Sequence, residues 1–228
     1  MLRDLLAAVA DLPVADALIA ESLAYGALQA SADHAAWLAA REPVAPLPPG
    51  RVLAALDGNV LSITFDRPQA HNAIDVAMRD GLREAFEVAA HDPEVDRVVL
   101  RAEGRAFCIG ADLSEFGTTR DPAKAHAIRL ATLPAYAIAR CADRLEVYIQ
   151  GACIGAGLEM AAFARRIVAQ PNAWFQLPEL AMGLIPGAGG CVSVSRRIGV
   201  ERTLELVLSG KRISARTALE WGLIDAIS

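Results

Sequence analysis

The chain has 228 residues, is 54% apolar and carries a formal net charge of −5. That is enough apolar side chain for a core that needs no metal or disulfide staple, and an acidic balance argues against nucleic-acid binding, which calls for a basic face. No apolar run reaches the ~20 residues of a membrane span. Arg3, Asp4, Asp11 and Asp16 also interrupt the apolar N-terminus, so no leader pattern is read there, and a cytoplasmic protein with no membrane association is expected.

Residues 1–42 are rich in Ala and Leu and read as two or three short helices, with a break at Pro13. "EPVAPLPPG" follows, with five Pro or Gly residues, so 43–50 is taken as a linker. The pattern then changes. "RVLAALDGNVLSITFDRP" reads as strand, Asp-Gly turn and strand, closed by Pro68. Asp75 can cap a helix whose Met78, Leu82, Ala85, Phe86 and Ala89 share one face. Strands are expected over 96–103, 144–150, 165–170 and 173–177. Helices are expected over 121–143, 157–165, 187–197, 200–209 and 214–221. Alternation of strand and helix indicates an α/β fold with buried sheets.

Cys108, Cys141, Cys153 and Cys191 show no CxxC or Cys/His spacing and stand in apolar or glycine-rich surroundings, as small buried thiols do. The four histidines are scattered, so no metal site and no Ser/His/Asp triad is read.

Three stretches can carry chemistry. In "IQGACIGAGLEMA" (149–161), Gly151, Gly155 and Gly157 let the chain turn tightly after a strand, and a helix begins near Gly157. The first N–H groups of a helix lack intrahelical partners. A phosphate loop would add Lys and Ser/Thr, which are missing, so the charge awaited is smaller, such as a thioester enolate oxygen. "GRAFCIGADLSEF" (104–116) offers a second free N–H near Ile109. "WFQLPELAMGLIPGAGG" (174–190) places Glu179 after Pro178, and its glycines can admit a substrate or water to the backbone. Each stretch has a plainer reading too: glycines packing helix on strand, Asp112 as an N-cap, Glu179 as a first-turn acid. Together they supply two backbone donors and two carboxylates in apolar settings, a kit for acyl-thioester chemistry through an enolate.

The segments "FCIGADLSEF", "GACIGAGLEMA" and "FQLPELAMGLIPGAGG", with "DRPQAHNAI" (66–74) and "LVLSGKRISARTALEWGLIDAI" (206–227), resemble the enoyl-CoA hydratase/isomerase (crotonase) family over about 51–228. The resemblance implies a crotonase-like superhelix of repeated ββα units for 51–228, here preceded by the 1–42 helical segment, and a homo-oligomer, a trimer or a pair of trimers. It implies an oxyanion hole from the N–H groups of Ile109 and Ala156, and catalytic carboxylates at Glu159 and Glu179. Arg67 and Ala70 of "DRPQAHNA", and Gly110, Ala111 and Asp112 of "IGAD", would line the coenzyme A groove. Gly155, Leu177 and Gly187 would also contact the substrate or its coenzyme A. The partner would be an acyl-CoA thioester, with no further cofactor and no metal. Retention of both glutamates points to hydration of a 2-enoyl-CoA. Isomerisation, dehydration or another acyl-CoA reaction on the same fold stays open, as does a non-catalytic subunit.

The resemblance also implies a further helical region after "GLIDAI", and residues 1–42 match nothing in it. Residues 1–42 could cover the surface that region would cover, form an ordinary appendage, or leave the pocket to a partner chain. Ala156 replaces a common glycine, Leu177 a polar residue, Gln150 an Asn and Gln69 a Lys that often helps to hold phosphates. Arg67, Arg101, Arg105 and Lys124 are the candidate counter-charges for the anionic cofactor, each equally readable as a solvated surface residue.

Overall fold

Three helices precede the first strand, and each is explained by its residues. In α1 (Leu2–Val9) the buried positions are Leu2, Leu5, Leu6 and Val9, one apolar stripe at helical spacing. Pro13 breaks the chain as expected and stands at the N-cap of α2 (Val14–Gln29). The buried positions of α2 are Ala17, Leu18, Glu21, Ser22 and Gly26, so small and polar residues interrupt its apolar face. Ser31 caps α3 (Ala32–Ala40) by accepting from the His34 N–H at 3.2 Å. The computed structural model describes every residue except 43, 44, 46 and 120, so part of the expected 43–50 linker lies outside the described residues.

β1 (Arg51–Asp57) and β2 (Val60–Asp66) form the expected hairpin. Asp57 pairs with Val60, so the turn is Gly58-Asn59, one residue later than the Asp-Gly reading, because Gly58 takes the left-handed φ of 58°. Asp75 caps α4 (Val76–His91) by accepting from the Met78 N–H at 2.8 Å, and the five residues expected on its apolar face are the buried ones.

From β3 (Arg97–Ala102) onward the chain gives one strand to each of two sheets and then a helix. The first sheet has the order β1-β2-β3-β4-β6-β9, antiparallel only at the hairpin; the second has the order β5-β7-β8. β4 (Leu145–Ile149) lies in the first sheet, β5 (Ala152–Ile154) in the second, and α7 (Ala156–Ala161) follows. β6 (Arg166–Ala169) and β7 (Trp174–Gln176) repeat the alternation before α8 (Gly190–Ser209). An isolated bridge from Cys108 to Cys153 extends the second sheet by one position. β8 (Ile213–Ser214), α9 (Ala215–Trp221) and β9 (Ala226–Ile227) complete the winding.

The expected helix over 121–143 is in fact α5 (Pro122–Thr132) and α6 (Ala135–Arg140). Pro134 forces the break: Leu133, preceding it, is extended at φ −69°, ψ 119°. Gly199, at φ 80°, breaks α8 between the two helices expected there. The four cysteines are free and buried, as expected. Leu2, Leu5, Leu6, Val9, Ala17 and Leu18 share one hydrophobic core with the sheet residues, so the N-terminal helices and the strands bury a common surface.

Candidate active site

The backbone donors come first. The segment after β3 runs beside β5: Cys108 donates to the Ala152 carbonyl at 3.0 Å and accepts from the Ile154 N–H at 2.9 Å. Gly155, at φ 50° and ψ −128°, turns the chain from β5 into α7, a conformation L side chains rarely adopt. Ala156 is therefore the first residue of α7, where an N–H has no intrahelical acceptor. Among the described residues, neither the Ile109 nor the Ala156 N–H donates a hydrogen bond. The two strands approach so closely that a Cβ on Gly110 would stand 3.8 Å from the Ala156 nitrogen. Two free donors thus stand on neighbouring segments, Ile109 one residue before Gly110 and Ala156 beside it.

The carboxylates sit on either side of this turn. Glu159, on α7, is buried, and its Oε2 accepts from the N–H groups of Ala188 (2.7 Å) and Gly190 (2.9 Å). Burial pushes its carboxyl up to about 7 despite those two bonds. Glu179 opens a 3-10 turn, Glu179–Met182, directly after Pro178. It too is buried, and its Oε2 has no hydrogen-bond partner among the described residues. Desolvation first, and the nearby Glu159 charge second, hold its carboxyl well above the usual range. A Cβ on Gly155 would stand 2.9 Å from the Glu179 Oε1, which places that carboxyl against the turn from β5 into α7. The sequence-expected quartet of Ile109, Ala156, Glu159 and Glu179 is brought together.

Sequence reasoning missed the contribution of α2. Glu21 is buried, and its two oxygens accept from the N–H groups of Gly189 (2.7 Å) and Cys191 (2.8 Å). Tyr25, one turn further on, lies over Gly187, where a Cβ would stand 2.2 Å from the Tyr25 ring. Arg129 of α5 ties this helix down: its guanidinium is 4.6 Å from the Tyr25 ring centroid and donates to the Ser22 Oγ and the Gln29 side chain. The Ser22 hydroxyl also meets His126 Nδ1 at 2.8 Å. The legible clue was a lone carboxylate in "ALIAESLAYGAL", on the same helical face as Ala17, Leu18 and Tyr25.

Three residues expected to line the binding groove have their surroundings within the chain. Arg67 is neither a phosphate-facing nor a solvated cation. It is 1% exposed, and its guanidinium is spent on Asp112 (2.7 Å), Asp75 (3.5 Å) and the carbonyls of Pro48 and Ala73. A buried arginine must satisfy its donors internally, and here it locks the 67–75 loop against the segment holding Gly110, Ala111 and Asp112. Beside Gly187 lies the Tyr25 ring of α2. Leu177 is fully buried within the hydrophobic core cluster, where its side chain packs.

Other residues of the loop behave as backbone scaffolding. Ala70 is buried, and Ala111 pairs with Ile74 in an isolated bridge. Asn72 accepts from the Arg67 N–H and donates to the carbonyls of Glu103 and Ala106. Asp112 caps the following turn through the Ser114 N–H at 2.9 Å. Partial burial opposes its charge, but hydrogen bonds from Ser114 and Arg67 outweigh this and lower its carboxyl. Arg105 and Lys124 are exposed, while Arg101 stacks 3.9 Å from the Tyr148 ring centroid. Burial pushes the Cys108 thiol up to about 12, so it stays protonated beside the donors. No group of three or more His, Cys, Asp or Glu that could hold a metal occurs among the described residues. Nor is any helix among them long and apolar enough to cross a membrane.

A family profile described as enoyl-CoA hydratase/isomerase matches residues 56–228. The chain is 34% identical over 171 residues to 2,3-dehydroadipyl-CoA hydratase of Escherichia coli K12, an alignment covering 74% of this chain and 65% of that protein. It is 34% identical over 174 residues to the peroxisomal bifunctional enzyme of Danio rerio, covering 75% of this chain but 23% of that much longer one. The solved structure of enoyl-CoA hydratase subunit I from Geobacillus kaustophilus HTA426 superposes with a TM-score of 0.70 at 30% identity, covering 77% of this chain and 68% of that one. The chain therefore spans about two thirds or less of these relatives, and the first 55 residues, with Glu21 and Tyr25, lie outside the profile match. The profile spans more than half of the chain and the solved relative shares its fold, and the chain belongs to the enoyl-CoA hydratase/isomerase (crotonase) family.

Proposed function

We propose that the chain adds water across the C2=C3 bond of a 2-enoyl-CoA thioester. The observation that supports this reading is the meeting of two free N–H groups, Ile109 and Ala156, with two buried carboxyl groups, Glu159 and Glu179, at one turn. The thioester carbonyl sits between the two N–H groups, which stabilise the enolate oxygen as negative charge develops there. Coenzyme A arrives as part of the substrate, so the reaction calls for no further cofactor.

The environments divide the two glutamates. Glu159 holds two N–H donors and titrates near neutrality, so it serves as the base. Glu179 has an oxygen with no donor in a dry setting, so it keeps its proton and serves as the acid. Water's oxygen bonds to C3 while its proton passes to Glu159. Glu179 gives its proton to C2, and a 3-hydroxyacyl-CoA results. Proton exchange between the two carboxyls through solvent restores the starting state.

The test is loss of the conjugated enoyl-thioester absorbance with crotonyl-CoA, for wild type and Glu179→Gln. Rapid loss in wild type and a reduction of about 10²–10⁴ in the variant are expected. A variant with near-wild-type turnover would overturn the scheme. The reading also carries the expectation of a homotrimer or a pair of trimers working in the cytoplasm.

A further inference from the structure

The first amides of α8 and the loop before it are divided between two carboxylates in alternation. Ala188 and Gly190 donate to Glu159; Gly189 and Cys191 donate to Glu21. Four successive N–H groups at the start of α8, whose first helical segment runs from Gly190 to the break at Gly199, thus hold two side chains that would otherwise repel each other. Side-chain-free backbone permits this, since a Cβ on Gly190 would stand 2.6 Å from the Glu159 Cγ.

We propose that Glu21 is a positioning residue of this active site: by gripping alternate amides of 188–191 it fixes the loop on which the Glu159 carboxylate hangs and sets a second acidic group beside it. The proposal deepens the hydratase reading above and rests on Glu159 being the base. Glu21 reaches the site from α2, upstream of the profile match, so the family motifs alone do not announce it.

The surroundings of Glu21 make its charge felt. α7 presents Glu159, the 3-10 turn presents Glu179, and α8 presents the Cys191 thiol. α6 presents Tyr136, whose buried hydroxyl has no partner among the described residues, and α2 itself presents Tyr25. Arg129 of α5 is the one cation that registers the Glu21 charge among these groups. Desolvation, then the Glu159 charge, raise the Glu21 carboxyl well above its ordinary value. Acidic groups that share a site in this way titrate as a set, each holding the others' protons on.

The test is a pH titration of the free protein followed by ¹³C NMR of side-chain-labelled glutamates, on wild type, Glu21→Gln and Glu21→Asp. The Glu159 carboxyl carbon is expected to show two inflections in wild type, one shared with Glu21. In Glu21→Gln the second inflection should disappear while the first stays, because Glu159 ionises before Glu21. The alkaline limb of the pH–rate profile for crotonyl-CoA hydration, set by Glu179, whose carboxyl the Glu21 charge holds up, should move to the acid side while the acid limb stays, and Glu21→Asp should restore part of the shift. A purely structural role would lower the rate and leave the profile where it was. A single wild-type Glu159 inflection, unmoved by Glu21→Gln, would overturn the proposal. If Glu21→Gln does not fold, the wild-type titration decides alone. The titration needs no turnover: shared inflections without hydration would sink the hydratase reading and leave the Glu21–Glu159 pairing standing.

Discussion

Replacing Glu159 with glutamine should make the protein more stable in alkaline solution and change little in acid. The buried carboxyl is raised from an ordinary 4.5 to about 7 in the folded protein. A group raised on folding contributes its full stability below the unfolded value and loses it as pH climbs through the folded one. Between pH 4.5 and 7 the wild type therefore weakens progressively, because the unfolded chain gives up the Glu159 proton while the folded site keeps it. At about 1.36 kcal/mol per pH unit, the span is worth ~3 kcal/mol by pH 8. Glutamine keeps the shape and one carbonyl acceptor for Ala188 or Gly190, but it carries no charge at any pH. Thermal melts at pH 4.5 and pH 8 test this. For a chain of this length, ~3 kcal/mol corresponds to a Tm gain of roughly 6–12 °C at pH 8, shrinking towards zero at pH 4.5. A Glu159→Gln protein that melts below wild type by the same amount at both pH values would refute the reasoning. It would mean that the two amide bonds, and not desolvation, dominate this carboxylate.

Three further outcomes follow from the geometry. Arg67→Ala removes the cation between Asp75 and Asp112, both largely buried, and should cost about 3–5 kcal/mol in urea unfolding; a residue that only bound phosphate would raise KM and leave stability alone. Gly187→Ala drives a Cβ into the Tyr25 ring and should cost about 1–3 kcal/mol. Adding Tyr25→Ala should return part of that loss, which a double-mutant cycle in denaturant would read. Ala156→Pro removes one oxyanion donor at a first helical position, where proline is tolerated, and should lower hydration about 10²–10³-fold with the fold kept, checked by steady-state kinetics and circular dichroism.

Local chemistry made much of the molecule legible in the sequence. The hairpin was legible from the Gly58 turn between two apolar runs, one residue off the Asp-Gly reading, and α4 follows from Asp75 and five apolar residues at helical spacing. Glu159 and Glu179 stood out because each is a lone carboxylate in an apolar, glycine-rich run. β5 did not stand out, since three residues carry no periodicity and its pairing is with distant Trp174, Phe175 and Gln176. Arg67 looked like a surface cation because the three segments that bury it, at Pro48, Asp75 and Asp112, are separated along the chain.

The sequence by itself determined the α/β class, the order of motifs and the identity of the two glutamates, because these depend on residues near one another in the chain. Tertiary structure alone decided that α2 enters the site, that Tyr25 occupies the space beside Gly187, and that Glu21 and Glu159 share the amides of 188–191. The contacts of Glu21 and Tyr25 join residues more than a hundred positions apart. They are set by how helices and sheets stack to bury a common core, and no local pattern of residues encodes that.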